Sequence, residues 1–551
     1  MAFIRRRRPA EEPERHPPAR PWDLLQGVHA ELAARLEEAS SLGLLSDVDH
    51  VRIARAVSRA VAEPQWMRYV IDVLRATGGA AFLHPSGQRD LPVRFGRHKL
   101  DRKLTRLGVV TDEPRNPAEL QGAEFALDQE MLRTSLLAIG PPGSGKTRGF
   151  ALPIVEHLCL QSLANAASVV VIDPKGDDFA IPGWFDVDID LANPDGSWGF
   201  DLYGGAATPE QAADRLAAAL LPPGVSADAT YYMDAAKNAL YNALAPFHAA
   251  RDAYPTIRQL LEMLRGEGST VQSVRSRLKN QGRLKEYEHL LQSRTDQRGR
   301  RNDPATGLVE RLGLLNRPTL VELLDEKPDK FRMSDINRPL RVRLALPEGM
   351  FPEAARILAR LAVAQFVQVT SSPSADDAIF KGLVIDEAGR YVDDYVARGL
   401  QRVRSRNAGL VLLTQSLGDF PDELRRTVFS STGCKAVFAG VNPDDAAYYS
   451  EFFGTHWVEE LTMANTLGET ETKGRSGHST TWGPTGMSTT THGKTNAEGT
   501  SRSIGASARQ VERPLWSPGE IINDVPPGHA LISLARPDGV RVPATLVNLR
   551  A

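Results

Sequence analysis

Two periodicities alternate along this chain. From Trp22 to about Thr77, in LLQGVHAELAARLEEASSLGLL and WMRYVIDVLRA, apolar residues recur every three or four positions, which predicts amphipathic helices in a region spanning 22–85. Short apolar runs then follow: LLAIG ending at Gly140, SVVVIDPKG at Ser168 to Gly176, LRVRLALP at Leu340 to Pro347, KGLVIDEAG at Lys381 to Gly389, GLVLLTQS at Gly409 to Ser416, and CKAVFAG at Cys434 to Gly440. Apolar strands separated by helical stretches predict an α/β domain with a mainly parallel sheet covered on both faces, built from 90–207 and 323–464. The long stretch between the second and third of these runs is too long for a simple crossover. Its helical segments PEQAADRLAAALL, YYMDAAKNALYNALAPF and TIRQLLEMLRG predict an inserted all-α domain at 208–322.

The remaining stretches have a different character. Residues 1–21 combine Arg5 to Arg8 with prolines and polar residues, a composition expected of a disordered tail. Ser, Thr and Gly dominate 465–510, which predicts a disordered or mobile loop. The segment 511–551 regains strand character and is expected to complete the α/β domain.

Composition narrows the function classes without choosing one. With 551 residues, 42% hydrophobic and 24% charged, the chain is globular and long enough for several domains. Its formal charge of −2 means that any surface for a polyanion must be a local patch. No apolar run approaches the roughly 20 residues of a membrane-spanning helix, and MAFIRRRR lacks the apolar stretch of a secretory signal. A cytoplasmic protein is expected, with Cys159 and Cys434 as reduced thiols.

The strongest chemical signal is GPPGSGKT, from Gly140 through Pro141, Pro142, Gly143, Ser144, Gly145 and Lys146 to Thr147. It fits the P-loop pattern in full, after a strand and before a helix. Backbone amides would cradle the phosphates of ATP, Lys146 would neutralise the β- and γ-phosphates, and the Thr147 hydroxyl would ligate Mg²⁺. Asp386 and Glu387 end an apolar strand, where Asp386 suits a Mg²⁺ ligand and Glu387 the polarisation of an attacking water. Such a pair would also serve as a helix cap. Gln415 ends the next strand and is placed either to sense the γ-phosphate or as an ordinary polar terminus.

Two basic clusters stand out from the neutral background. QRVRSRNAG holds Arg402, Arg404 and Arg406, which fit either a group reaching a neighbouring subunit's γ-phosphate or a solvated helix face. Nine Lys and Arg lie between Arg275 and Arg301 against three acidic residues. Arg275, Arg277, Lys279, Arg283 and Lys285 are the candidates there for contact with a nucleic-acid backbone, with solvated surface as the alternative.

Taken together, these residues resemble the conjugative coupling-protein ATPases, the TraG, TraD and VirD4 group within the FtsK and HerA superfamily. The resemblance runs from about Gly96 to Asn548 and is carried by the P-loop, VIDPKGD at Val171 to Asp177, VIDEAG at Val384 to Gly389, the Arg-x-x-Gly of Arg406 to Gly409, TQS at Thr414 to Ser416, and RPLWSPGEI at Arg513 to Ile521. It implies a RecA-like P-loop NTPase domain and an all-α domain, a homo-hexameric ring around single- or double-stranded DNA, and ATP with Mg²⁺ as cofactors. It matches Arg406 to a trans-acting arginine and Gln415 to a motif glutamine. Relaxase, adaptor or secretion-channel proteins are the implied partners. Membrane-bound relatives carry transmembrane helices that this sequence lacks, so a place at the inner face of the membrane would come through a partner docked on 22–85. Three activities compete at this stage: a DNA-pumping coupling ATPase of conjugation or type IV secretion, an ATP-dependent receptor for secreted proteins, and a HerA-like ATPase of DNA processing or phage defence.

Overall fold

The computed structural model describes residues 22–551 except 222–226, 298–302, 304, 374, 393, 476–478, 483–487, 492–493 and 536–540, so the expected tail at 1–21 lies outside the described residues. The chain divides into two units, Met1–Tyr449 with Pro518–Ala551, and Ser450–Ser517.

The first unit is organised by one eleven-stranded sheet. In chain order its strands are β1 (Leu104–Val110), β2 (Glu124–Asp128), β3 (Leu136–Ile139), β4 (Ala167–Asp173), β5 (Val187–Asp190), β6 (Arg341–Ala345), β7 (Phe380–Ile385), β8 (Ala408–Thr414), β9 (Cys434–Phe438), β10 (His529–Ala535) and β11 (Arg541–Asn548). Their spatial order is β2-β1-β11-β10-β9-β3-β8-β7-β4-β6-β5. The seven strands from β9 to β5 run parallel, and the four beyond β9 pair antiparallel. The mainly parallel α/β fold read from the sequence is therefore the fold observed. Every residue of β3, β4, β7, β8 and β9 is buried, which is why these strands read as unbroken apolar runs rather than alternating ones.

Three strands escaped the sequence reading. β5 is only VDID, with Asp188 and Asp190 partly exposed, while β1 is interrupted by a register shift between Arg106 and Gly108 where it pairs with β2. Each is short or irregular and lies toward a sheet margin, where burial no longer forces an apolar sequence.

Helices cover this frame. Near the N-terminal end of the described chain, α1 (Ala30–Ser41), α2 (Asp47–Ala62) and α3 (Met67–Thr77) close over Leu32, Leu36, Ile53, Val57, Ile71 and Leu74. The chain then supplies α4 (Leu152–Leu163), directly after the P-loop turn. In the expected insertion, α5 (Pro209–Leu220), α6 (Ala227–Arg251), α7 (Ile257–Arg265), α8 (Ser269–Asn280), α9 (Leu284–Gln297) and α10 (Ala305–Leu315) follow one another with no strand between them among the described residues, and Gly199–Phe200 pairs with Lys330–Phe331 on either side of them. Among the described residues no helix is long and apolar enough to cross a membrane.

The second unit departs from expectation. Where composition predicts a disordered tract at 465–510, the backbone of Thr455–Arg475 pairs antiparallel with Lys494–Pro514 from Thr455↔Pro514 to Arg475↔Lys494. Thr is β-branched and suits an extended backbone, so a scarcity of aliphatic residues does not exclude a ladder held by main-chain bonds.

Within β9 the single charged residue, Lys435, is buried; its ammonium donates to the Thr432 carbonyl and lies 4.7 Å from the centre of the Phe429 ring. Burial pulls its pKa down to about 8. Between that value and the ordinary lysine value the unfolded chain binds more protons than the folded one, so the folded state gains stability as pH rises through this window. Urea midpoints of the wild type relative to Lys435→Met should therefore increase from pH 7.5 to pH 10. A difference that does not change with pH would contradict the shifted pKa.

Candidate nucleotide-binding site

Register along the central strands gathers the chemistry. Ile139 of β3 lies opposite Thr414 of β8, Leu412 of β8 opposite Ile385 of β7, and Ile385 opposite Ile172 of β4. The residues that follow, Gly140, Gln415, Asp386 and the Asp173 turn, thus emerge along one edge of the sheet from four separate parts of the chain.

After β3 the chain turns tightly, with Gly143 at φ 78° and Gly145 at φ 101°, conformations that side-chain-bearing residues avoid. Gly140 cannot carry a side chain either, because a Cβ there would come within 2.6 Å of Phe438 Cβ. Pro142 and Gly143 are exposed at the tip, and the Ser144 amide closes the turn onto the Pro141 carbonyl at 3.2 Å. Lys146 to Ala151 then form a π-helical turn that runs into α4, with Thr147 part-buried in it. The first amides of such a turn have no helical partner and carry the positive end of the helix dipole, an arrangement suited to a phosphate.

Lys146 is buried, and its ammonium is folded back onto the carbonyls of Gly140 and, at 3.3 Å, Pro141. Burial lowers its pKa, while Glu387 and Asp386 act in the opposite direction. A phosphate would offer this ammonium a full negative charge in place of two carbonyl dipoles. Ser144 Oγ is buried with no hydrogen-bond partner among the described residues.

Asp386 is 1% exposed, and its carboxyl is pushed up to about 6 by burial, with Glu387 adding to the effect and Lys175 opposing it. One of its oxygens accepts from the Glu387 amide at 3.0 Å; the other, Oδ2, has no hydrogen-bond partner among the described residues. A buried carboxylate oxygen without a donor among the described residues, on the same sheet edge as the P-loop lysine, is suited to a hard divalent cation. Mg²⁺ therefore fits here, with Asp386 and the Thr147 hydroxyl as the groups that would hold it. When bound it would supply positive charge to the phosphate oxygens.

Glu387 adopts φ 51°, an uncommon conformation for a residue with a side chain, and its carboxylate accepts from Gln415 Nε2 at 2.9 Å. Gln415 is itself fixed by Asp419, one of whose carboxylate oxygens accepts from the Gln415 amide at 3.1 Å and the Ser416 amide at 3.0 Å. The structure thus brings Lys146, Asp386, Glu387 and Gln415 together, and among the described residues the Glu387 side chain caps no amide of the short helix Ala388–Arg390 that follows it.

Sequence reasoning missed Lys175. Asp173 ends β4 and folds the following turn by accepting from the amides of Gly176 at 2.9 Å and Phe179 at 3.2 Å. That turn carries the Lys175 ammonium to within 2.6 Å of Asp178 and 3.6 Å of the unpartnered oxygen of Asp386. VIDPKGD was visible as a motif, but only the adjacency of β4 and β7 shows where its lysine reaches.

Arg406 is elsewhere. It precedes β8, whereas Gln415 follows it, and seven strand residues at about 3.3 Å each separate the two sheet edges by roughly 20 Å. There Arg406 is half-buried and lies 3.5 Å from Asp377. The basic candidates on the insertion are apart from this edge too. Arg277 and Lys279 on α8 and Lys285 on α9 are exposed, Arg275 is partly buried, and Arg283 is paired with Glu286 at 3.1 Å. Arg294 leaves the basic cluster altogether, since it is buried, donates to the Leu264 carbonyl and pairs with Asp303 at 3.1 Å.

Glycine-rich turn, buried lysine and paired carboxylates on the C-terminal edge of a parallel sheet define a RecA-like P-loop fold. More narrowly, the fold is that of solved coupling-protein structures. The bacterial conjugative coupling protein TrwBdeltaN70 in an unbound form is 17% identical, over 81% of this chain and 88% of that one, with a TM-score of 0.51. Plasmid coupling protein TrwB in complex with the GTP analogue GDPNP is 17% identical over 84% and 97%, and TrwB in complex with ADP and Mg²⁺ is 17% identical over 83% and 96%, each with a TM-score of 0.50. No protein-family model and no curated protein sequence matches the chain.

Lys146→Ala removes the one buried cation of the loop and should abolish measurable ADP binding while leaving the melting temperature within a few degrees of wild type. Glu387→Gln retains the shape and the contact with Gln415 but cannot polarise water, so nucleotide binding should persist while turnover falls by about a hundredfold or more. Near wild-type turnover in either folded variant would remove the site assignment.

Proposed function

We propose that this chain is an ATP-hydrolysing motor of the coupling-protein type, acting in conjugative transfer or type IV secretion by recruiting or pumping DNA. The observation that carries the reading is the alignment of Lys146, Asp386, Glu387 and Gln415 on one sheet edge, with Gln415 donating to the Glu387 carboxylate. In this reading the loop amides and Lys146 bind the β- and γ-phosphates of ATP. Asp386 and Thr147 hold Mg²⁺. Glu387 orients and polarises the attacking water, and Gln415 holds the Glu387 carboxylate in position and senses the γ-phosphate.

In this reading the charge that spreads over the γ-phosphate in the transition state calls for a further cation beyond Lys146 and Lys175. Arg406 supplies it from a neighbour. Because Arg406 sits on the opposite sheet edge, a head-to-tail ring would bring one subunit's arginine edge against the next subunit's nucleotide edge, and a closed homo-hexamer suits that heterologous contact. The fold likeness to TrwB supports this arrangement.

For the cargo, Arg275, Arg277, Lys279 and Lys285 are the proposed contacts to the DNA backbone. Burial of Arg294 and pairing of Arg283 thin this patch, and that observation favours a second reading, in which the motor receives protein substrates and engages little DNA. Hydrolysis measured with and without single- and double-stranded DNA at two salt concentrations separates the two. DNA pumping predicts stimulation that weakens as salt rises; the receptor reading predicts none at either salt.

Arg406→Ala should leave ADP affinity nearly unchanged and lower turnover by about a thousandfold. Mixed with Lys146→Ala subunits it should regain partial activity, because some interfaces then pair an intact P-loop with an intact Arg406. Mixed rings that form and remain inactive would place Arg406 outside the reaction.

A further inference from the structure

Sheet order fixes which way a nucleotide would lie on this edge, an argument that rests on the ATP reading above. Gln415, just after β8, and Glu387, just after β7, stand to one side of the P-loop strand β3, so the terminal phosphate points to that side. The nucleoside end must then lie to the other side, over β9, β10 and β11. Antiparallel pairing returns the start of β10 and the end of β11 to this same edge, with Ala530 opposite Phe438 and His529 opposite Asn548.

There the residues flanking the two strands close on the P-loop. A Cβ at Gly145 would lie 3.8 Å from the Gly528 Cα, and a Cβ at Gly149 would lie 3.0 Å from Leu549 Cβ. Gly528, at φ 79°, accepts from the Leu549 amide at 3.0 Å. A side chain at 528 would overlap Arg550 Nε and come within 2.7 Å of its Cζ, so the Arg550 guanidinium rests against this glycine. Arg550 is exposed, and among the described residues its guanidinium has neither an ion pair nor a hydrogen bond.

We propose that Arg550 binds the nucleoside end of the nucleotide, its guanidinium packing against the purine base beside the Gly528 turn. A guanidinium is planar, weakly hydrated and cationic, and stacks on aromatic faces in a way an ammonium cannot. The loop amides and Lys146 already account for the phosphates, so the base is the part of the ligand still in need of a partner.

Binding of ADP and of inorganic tripolyphosphate to the full chain, both with Mg²⁺, tests this. Arg550→Ala should weaken ADP about tenfold and leave tripolyphosphate within twofold of wild type, and Arg550→Lys should recover little of the loss. Unchanged ADP affinity overturns the proposal, and so does an equal loss for both probes, which would make Arg550 a phosphate contact. Lys146→Ala is the control, expected to weaken both probes. If it weakens both while Arg550→Ala changes neither, only the role of Arg550 fails. If Lys146→Ala changes neither, the nucleotide reading fails and this inference with it.

Discussion

The parallel register of β3, β8, β7 and β4 is the constraint on which the site depends. Four segments from residues 136 to 414 place their last apolar residues side by side, and the polar residues that follow become neighbours only because of that alignment. Side chains alternate between the faces of a strand, so a slip of one residue would turn each of them to the wrong face and dismantle the edge. Burial on both faces guards against such a slip. Every residue of these four strands is inaccessible, and a shifted strand would carry a carboxylate or an amide into apolar surroundings.

A site assembled this way holds its charges in mutual tension. Lys146 rests on its own loop's carbonyls, Asp386 is buried with one oxygen lacking a donor among the described residues, and Lys175 reaches that oxygen only loosely at 3.6 Å. An anion at the loop and a divalent cation at Asp386 would supply opposite charge to Lys146 and to that oxygen, as expected of a site for a metal-bound polyphosphate. Glu387, at φ 51° in the turn after β7, has its carboxylate oriented by the bond from Gln415.

How much of this was legible follows from burial. The central strands announced themselves as apolar runs because both of their faces are covered, and the P-loop and the carboxylate pair followed from where those runs end. Marginal strands did not: β5 is four residues with two aspartates, and β1 is broken at Gly108. Lys175 was hidden because its partner, Asp386, lies some 210 residues away and only strand order joins them. Counting charges misled at Arg294, whose guanidinium is spent on the Leu264 carbonyl and Asp303 inside the insertion. Composition misled again within 465–510, where residues 465–475 and 494–510 take an extended, paired backbone.

The two ends of β8 carry the central claim. Gln415 stands at one and Arg406 at the other, too far apart to act on one nucleotide, so the proposed reaction needs two subunits. Hydrolysis per subunit, followed as protein concentration is raised through the range in which subunits assemble, tests that most directly. The account predicts almost no turnover for isolated subunits and a steep rise in the specific rate as rings form. A specific rate that stays constant across that transition would show a site complete within one chain and would contradict it.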